Sequence, residues 1–69
     1  MEQVPVDSSN IASIGYDPGS QTLQVEFQGG SVYQYFDVPE SVFQEFLSAS
    51  SKGRFFHANI KGSFRYARV

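Results

Sequence analysis

The sequence predicts a small α+β domain: a three-stranded antiparallel meander, then two helices and an extended C-terminal tail that lies across the surface or adds a short fourth strand. Residues Thr22–Gln28 alternate apolar and polar side chains, as a half-buried strand does. Val32–Pro39 is the richest β-branched and aromatic run in the chain, entered through Gly29-Gly30 and closed by a proline. After Pro39 the apolar period becomes that of an amphipathic helix. We therefore expect the order β-β-β-α-α.

The length of 69 residues predicts a single domain, residues 1–69, because no repeat or linker divides the chain. A chain of about 60 residues buries only about 60% of its unfolded surface, so the core is small. Four tyrosines and seven phenylalanines are more aromatic residues than such a core covers. We therefore expect a homodimer or a larger homo-oligomer.

The absence of cysteine excludes disulfides, cysteine zinc sites and thiol catalysis, and fits an intracellular compartment. No apolar run approaches the roughly 20 residues needed to cross a bilayer. Residues Met1–Pro5 have neither the basic nor the apolar region of a secretory signal. The expected localisation is cytoplasmic.

Charge is distributed unevenly along the chain, although the formal net charge is only −2. All seven acids precede residue 46, and all five cations follow residue 51. The small negative total argues against a general polyanion binder, while the asymmetry predicts one local cationic region. Its cations are Lys52, Arg54, Lys61, Arg65 and Arg68.

The segment before the central strand predicts one strand and one tight turn. Residues 1–8 lack periodicity and are expected to be an extended lead-in. A first strand is expected over Asn10–Tyr16, with apolar side chains on both faces. In Asp17–Ser20, proline occupies the second position and glycine the third, which favours a type II turn.

The connection between the second and third strands allows two registers. A two-residue primed turn at Gly29-Gly30 places Val25 opposite Gln34. A type I turn with Gly30 as a left-handed bulge residue places Tyr33 opposite Val25 instead. We favour the bulge because the primed turn puts Gln34 in the core, whereas the bulge joins Tyr33 and Tyr35 to the apolar row.

Two helices are expected after Pro39. The first covers Glu40–Ala49, where an apolar stripe recurs at helical spacing: Val42, Phe43, Phe46 and Leu47. Ser50 or Ser51 caps a second, shorter helix that runs to Lys61, with Gly62 as its left-handed stop. The tail, Ser63–Val69, alternates only weakly.

These segments together resemble the KTSC family, the short domain named after the carboxyl terminus of some lysyl-tRNA synthetases and also found as a free-standing small protein. The matching motifs are Ser8-Ser9-x-Ile11, Gly15-Tyr16, Leu23-x-Val25-x-Phe27, Tyr33-x-Tyr35, Val38-Pro39 and Ser51-Lys52-Gly53-Arg54-x-Phe56. The resemblance covers nearly the whole chain. It implies a compact α+β module whose function is not established, with RNA binding as the usual conjecture.

The second helix carries the most informative candidate site. With Phe56 on its inner face, Ile60 lies beside it, and a cationic stripe at i, i+3 and i+7 lies on the far side, comprising Arg54, His57 and Lys61. A helix start with free N–H groups and a permissive Gly53 suits a phosphate or carboxylate. The alternative is a solvated face, or ion pairs with Asp37, Glu40 and Glu45.

The residues give less support to aromatic stacking, metal binding or catalysis. Tyr33 and Tyr35 serve either as a stacking platform or as core residues whose hydroxyls reach the sheet edge, and the favoured register supports the second. His57 is the only histidine, and no second ligand type clusters near it, so no metal site is expected. Nothing identifies a catalytic triad or an oxyanion hole, so neither an enzyme nor a cofactor is expected.

The leading hypothesis is a non-enzymatic binding module for a phosphate-bearing nucleotide ligand, most simply an RNA strand or end. The expected phosphate-binding residues are Lys52, Gly53, Arg54, His57, Lys61, Arg65 and Arg68. The expected stacking residue is one of Tyr35, Phe64 and Tyr66. One alternative is a small homo-oligomer that holds a free nucleotide between protomers. The other is a protein-interaction module, in which the acidic half of one molecule faces the basic tail of another molecule or partner.

Overall fold

A computed structural model describes residues 1–69 as one five-stranded antiparallel sheet with two helices. The sheet order is sequential, and its strands are β1 (Gln3–Pro5), β2 (Ile11–Asp17), β3 (Thr22–Phe27), β4 (Val32–Tyr35) and β5 (Tyr66–Arg68). Helix α1 covers Glu40–Ser48, and helix α2 covers Lys52–Phe55 and continues as a π-helical turn, Phe56–Ile60. None of the helices combines the length and apolar character needed to cross a membrane.

The α+β class with two helices is confirmed, but the expectation of three strands with at most a fourth is wrong. The lead-in forms β1, which pairs Val4 with Ile14 of β2. The tail forms β5, which pairs Tyr66 with Tyr35 of β4. Each of the two added strands has three residues, which is too few for an alternating pattern to be recognised in the sequence. They form because they satisfy the open backbone N–H and C=O groups along β2 and β4.

The bulge register between β3 and β4 is confirmed. Tyr33 lies opposite Val25 and Tyr35 opposite Leu23, while Gln34 pairs with Gln24 on the other face. Gly30 has a φ of 96°, in the region open to glycine, as the bulge requires. The apolar row therefore runs unbroken from β3 to β4. Tyr35 is 5% exposed and Tyr33 is half-buried.

The expected type II turn at Asp17–Ser20 is wrong, because Gly19 does not have the positive φ that such a turn needs. The Asp17 carboxylate instead accepts hydrogen bonds from the Gly19 N–H at 3.2 Å and the Ser20 hydroxyl at 2.7 Å. The left-handed residue is Gln21, with a φ of 53°. Its carbonyl accepts from the Val38 N–H at 2.9 Å, which fixes that conformation.

The core lies between the sheet and the helices. Helix α1 begins at Glu40 as expected and ends at Ser48, one residue early, and its Phe46 is completely buried. The Phe46 ring stacks on Phe55 of α2 at a centroid distance of 5.3 Å, which fastens the two helices together. The remaining core residues are Ile11, Ile14, Leu23, Val25, Tyr35, Val38, Phe56 and Ile60.

Candidate functional site

Burial of two residues in the π-helical turn sets the orientation of the second helical segment. Phe56 and Ile60 are both buried, which leaves the expected cationic stripe of Arg54, His57 and Lys61 exposed on the other side. Ser51 is the N-cap, and its hydroxyl oxygen accepts from the Arg54 backbone N–H at 3.3 Å. The stripe therefore lies on the face that its spacing predicts.

The helix differs from the expected regular one. Its α-helical part is a single turn, after which the Lys61 N–H bonds to the Phe56 carbonyl across the wider π spacing at 2.8 Å. Gly62 follows with a φ of 82°, the left-handed stop that its position predicts. Because so few peptide dipoles align, the helix start itself contributes little to anion binding, and the side chains of Lys52 and Arg54 carry the positive charge here.

A polar cleft of about 740 Å³ lies between the start of α2 and the loop that precedes β2. The Ser8 hydroxyl oxygen holds this loop in place by accepting from the N–H groups of Asn10 and Ile11, each at 3.3 Å. We call this space the polar cleft. Its lining includes Ser8, Asn10, Ser51, Lys52, Arg54 and His57.

An aromatic cleft of about 700 Å³ adjoins the polar cleft. Its walls come from β3, β4, β5 and the π-helical turn, through Phe27, Tyr33, Tyr35, Phe56 and Tyr66, with Lys61 at the rim. The Tyr35 ring lies 5.6 Å from the Phe56 centroid and 5.7 Å from the Tyr66 centroid. The two clefts share Asn10, Gly53 and His57, so they meet at these residues.

The cations around these clefts differ in whether their side chains have a hydrogen-bond partner within the chain. Lys52 Nζ donates to the Ala49 carbonyl at the end of α1, at 2.6 Å, so part of its hydrogen-bonding capacity is used within the chain. The side chains of Arg54 and Lys61 make neither a hydrogen bond nor an ion pair with any part of the chain. The expected alternative, in which helix cations pair with the acids of the first half, is therefore not what the structure shows for Arg54 and Lys61.

Tyr35 contributes a polar group to an otherwise apolar wall. Its hydroxyl has no hydrogen-bond partner in the chain, yet no buried polar side-chain atom is unsatisfied, so this hydroxyl is accessible from solvent, and Tyr35 lines the aromatic cleft. Burial raises the pKa of Tyr35 above 10.0, and the neighbouring Tyr33 and Tyr66 raise it further. Tyr35 therefore offers a protonated donor at neutral pH.

The remaining predicted site residues are only partly brought together. Arg65 lines neither cleft, and it pairs with Asp37 in an exposed salt bridge at 2.8 Å. Phe64 packs against the core and lines a separate shallow depression with Phe36 and Arg65. Arg68 lies beside the aromatic cleft, with its guanidinium 6.0 Å from the Tyr33 ring centroid.

Sequence reasoning missed the loop that forms one wall of the polar cleft. Asp7, Ser8 and Asn10 lie more than forty residues from Lys52 in the chain, and polar loop residues have no periodicity that marks a wall. The Ser8-Ser9-x-Ile11 motif was the one available signal. The structure contains no group of three or more metal-ligating side chains.

The sequential five-stranded sheet, its two short helices and its paired clefts define a small antiparallel α+β domain. The chain belongs to the KTSC domain family, whose profile matches residues 7–64. A crystal structure of a KTSC domain protein from Yersinia pestis superposes with a TM-score of 0.94 at 49% identity, covering 99% of this chain and 96% of that one.

Two sequence relatives show the contexts in which the domain occurs. The lysine–tRNA ligase of a Nostoc species is 46% identical over 63 residues, covering 91% of this chain but only 11% of the ligase. A small protein of Tsukamurella paurometabola is 48% identical over 61 residues, covering 88% of this chain and 91% of the relative. The chain thus spans about a tenth of the ligase and nearly the whole of the small protein.

Proposed function

We propose that the protein is a non-enzymatic binding module for a phosphate-bearing nucleotide ligand, most simply an RNA strand or end. The observation that carries this proposal is the junction of a cation-lined polar cleft with an aromatic cleft through shared residues. Nucleotides need both surfaces at once, because their phosphates are charged and their bases are flat and aromatic. The two clefts supply these surfaces side by side.

The polar cleft supplies the phosphate-binding groups. Arg54 has an unpaired guanidinium, and Lys52 retains donors beyond the one used on Ala49. Hydrogen bonds to charged groups contribute about 1.5–3 kcal/mol each, so the loss of one of them weakens binding about tenfold or more. Lys61 stands at the aromatic cleft, where a second phosphate of a strand comes within reach.

The aromatic cleft supplies the base-binding surface. Tyr66 is the strongest stacking candidate of the three predicted, because it is 61% exposed and still lines the cleft. Tyr35 is buried and offers its hydroxyl instead, and Phe64 lies outside this cleft. Stacking of a base on an aromatic ring contributes about 1–3 kcal/mol.

The relatives are consistent with an RNA ligand without naming one for this chain. Lysine–tRNA ligase is named for a tRNA substrate, and the matched segment is a small part of that enzyme. A segment that adds affinity for RNA fits such an attachment. For the free-standing chain, we extend the same proposal to a single strand or an end.

A fluorescence anisotropy titration with a short, labelled single-stranded RNA tests the proposal. Arg54→Gln should weaken binding about tenfold or more, since it removes an unpaired cation from the polar cleft. Tyr66→Ala should weaken it by about fivefold or more through lost stacking. Arg65→Gln is the matched control, because it removes the same charge from a surface outside both clefts.

Equal binding by the parent, Arg54→Gln and Tyr66→Ala would contradict the assignment of the site to these clefts. Failure of the parent to bind the RNA would contradict the proposal and favour a protein-interaction module. Salt dependence distinguishes a strand from a free nucleotide. For single-stranded nucleic acid, the slope of log affinity against log salt is about −0.7 per phosphate contacted. A slope equivalent to two or more contacted phosphates supports a strand, whereas a pocket for a free nucleotide should bind its ligand with a weaker salt dependence.

A homo-oligomer that covers the site is the second candidate, and exposed residues of the edge strand favour it. Tyr66 lines the aromatic cleft from β5, and Val69 beside that strand is 70% exposed. Only one side of β5 is paired within the chain. A second protomer placed along this edge would extend the wall of the aromatic cleft and enclose a nucleotide between subunits.

A further inference from the structure

The residues shared by the two clefts define what lies between a bound phosphate and a bound base. Asn10, Gly53 and His57 line both spaces, so they form the ridge that a ligand crosses on passing from one cleft to the other. In every nucleotide, the group between phosphate and base is the sugar. A ligand with its phosphate in the polar cleft and its base in the aromatic cleft therefore places its sugar over these three residues.

Asn10 has a free side chain at that ridge. Its backbone is fixed, because its N–H donates to Ser8 Oγ and its carbonyl accepts from the Gln28 N–H at 2.8 Å. Its carboxamide makes no hydrogen bond within the chain and is exposed. The side-chain amide nitrogen lies over Gly53, 3.6 Å from the position that a Cβ there would occupy.

A carboxamide carries an acceptor oxygen beside a donor nitrogen, and can bind a hydroxyl through either atom. The 2′-hydroxyl is likewise both a donor and an acceptor, and it is the group that distinguishes RNA from DNA at a given site. Deoxyribose would leave the carboxamide without that partner.

We propose that Asn10 recognises the ribose and makes the site selective for ribonucleotides over deoxyribonucleotides. This inference rests on the proposed function, since it assumes a phosphate in one cleft and a base in the other. It adds a chemical class of ligand and a residue that selects it. It also assigns a role to a loop residue that contributes only its backbone to the fold.

The test compares adenosine 5′-monophosphate with its 2′-deoxy analogue by isothermal titration calorimetry, and repeats the comparison with RNA and DNA pentanucleotides of one sequence. The parent should bind the ribo form about five- to tenfold more tightly, as one or two hydrogen bonds allow. Asn10→Ala should bring the ribo affinity down to the deoxy affinity and leave the deoxy affinity unchanged.

Asn59→Ala is the matched control, because Asn59 is also an exposed asparagine, and its side chain bonds the Phe55 carbonyl outside both clefts. It should preserve the preference for ribose. Equal binding of ribo and deoxy ligands by the parent would overturn the inference and leave the proposed function standing, as would an equal loss of both affinities in Asn10→Ala. Failure of every ligand to bind the parent would overturn both.

Discussion

The hydroxyl groups of Tyr16 and Tyr35 differ in their hydrogen bonding. The Tyr16 hydroxyl donates to the Val38 carbonyl, whereas the hydroxyl of Tyr35, which lines the aromatic cleft, has no partner in the chain. Burial raises the pKa of both groups above 10.0, and in Tyr16 the carboxylates of Glu40 and Asp17 raise it further. The folded protein therefore holds both phenolic protons more tightly than the unfolded chain does.

Because the pKa of both tyrosines is higher in the folded protein than in the unfolded chain, the free energy of unfolding should fall at alkaline pH. The tyrosine contribution is fully present below pH about 10, the pKa of an unfolded tyrosine, and is lost as the pH rises through the raised pKa of the folded state. Thermal melts across this range should show the loss of stability. Tyr35→Phe should make this alkaline loss smaller and change the stability at neutral pH little. Tyr16→Phe should also make the alkaline loss smaller but lower the neutral stability, because a hydrogen bond is lost. Parallel alkaline profiles for all three proteins would contradict this assignment.

Lys52 and Arg54, the two cations at the start of α2, should differ in their contribution to stability. Lys52→Glu should lower the free energy of unfolding by about 1 kcal/mol or more, because it removes the hydrogen bond to Ala49 and places an anion beside the last carbonyls of α1. Arg54→Glu should change it by no more than about 0.5 kcal/mol, because that side chain has no partner. Urea denaturation measures both. Equal losses would mean that Arg54 has a structural partner as well.

At the scale of elements, the β3–β4 hairpin depends on one glycine of a pair. Gly30 has a φ of 96°, whereas Gly29 has no positive φ, and a methyl group added to its Cα would meet no atom within 4 Å. Gly30→Ala should destabilise the protein by about 1–2 kcal/mol, and Gly29→Ala should leave it unchanged or slightly more stable. Chemical denaturation of both variants gives the comparison. A larger loss in Gly29→Ala would contradict the bulge geometry.

The junction of α2 with its π-helical turn shows how an element adapts to its burial requirement. Phe56 and Ile60 both reach the core, and Phe56 makes edge contacts with Phe27 and Tyr35 at 5.4 and 5.6 Å. The widened turn ends where the Lys61 N–H bonds to the Phe56 carbonyl, immediately before Gly62 reverses the chain toward β5. The segment thereby buries two large side chains and keeps its cations outside.

At the scale of the whole molecule, β5 leaves one sheet edge open. The Phe36 N–H donates to the Arg65 carbonyl and the Val69 N–H to the Val32 carbonyl, so by alternation Tyr66 and Arg68 direct their backbone groups outward. Two copies can pair these edges antiparallel about a two-fold axis. Such a dimer would join two sheets and set the aromatic clefts beside the shared edge.

Sedimentation equilibrium should therefore show a reversible dimer. Arg68→Pro should shift the protein toward monomer, because proline removes an outward N–H without disturbing a bond to β4. Arg68→Ala is the matched control, since it removes the same side chain and keeps that N–H, and it should dimerise as the parent does. A parent that stays monomeric at high concentration would exclude the edge-paired dimer and the pocket between protomers.

Much of the framework was predictable because it follows from local chemistry. Alternation defined β3, the change of period after Pro39 located α1, and Gly62 marked the end of the second helical segment. The register of Tyr33 and Tyr35 was also predictable, because the alternative buried the polar side chain of Gln34. Each of these inferences compares residues that are close in the chain.

Tertiary structure alone decided the two outer strands and the site. Short segments such as Gln3–Pro5 become strands only because an open sheet edge is available to pair with them. The exposure of the cationic stripe was predictable from the burial of Phe56 and Ile60, but its opposite wall was not. Asn10 lies beside Gly53 at the start of α2 although the two are more than forty residues apart in the chain, and Arg65 lies away from the other cations and pairs with Asp37. Local sequence specifies which elements form, whereas long-range packing decides which polar side chains meet.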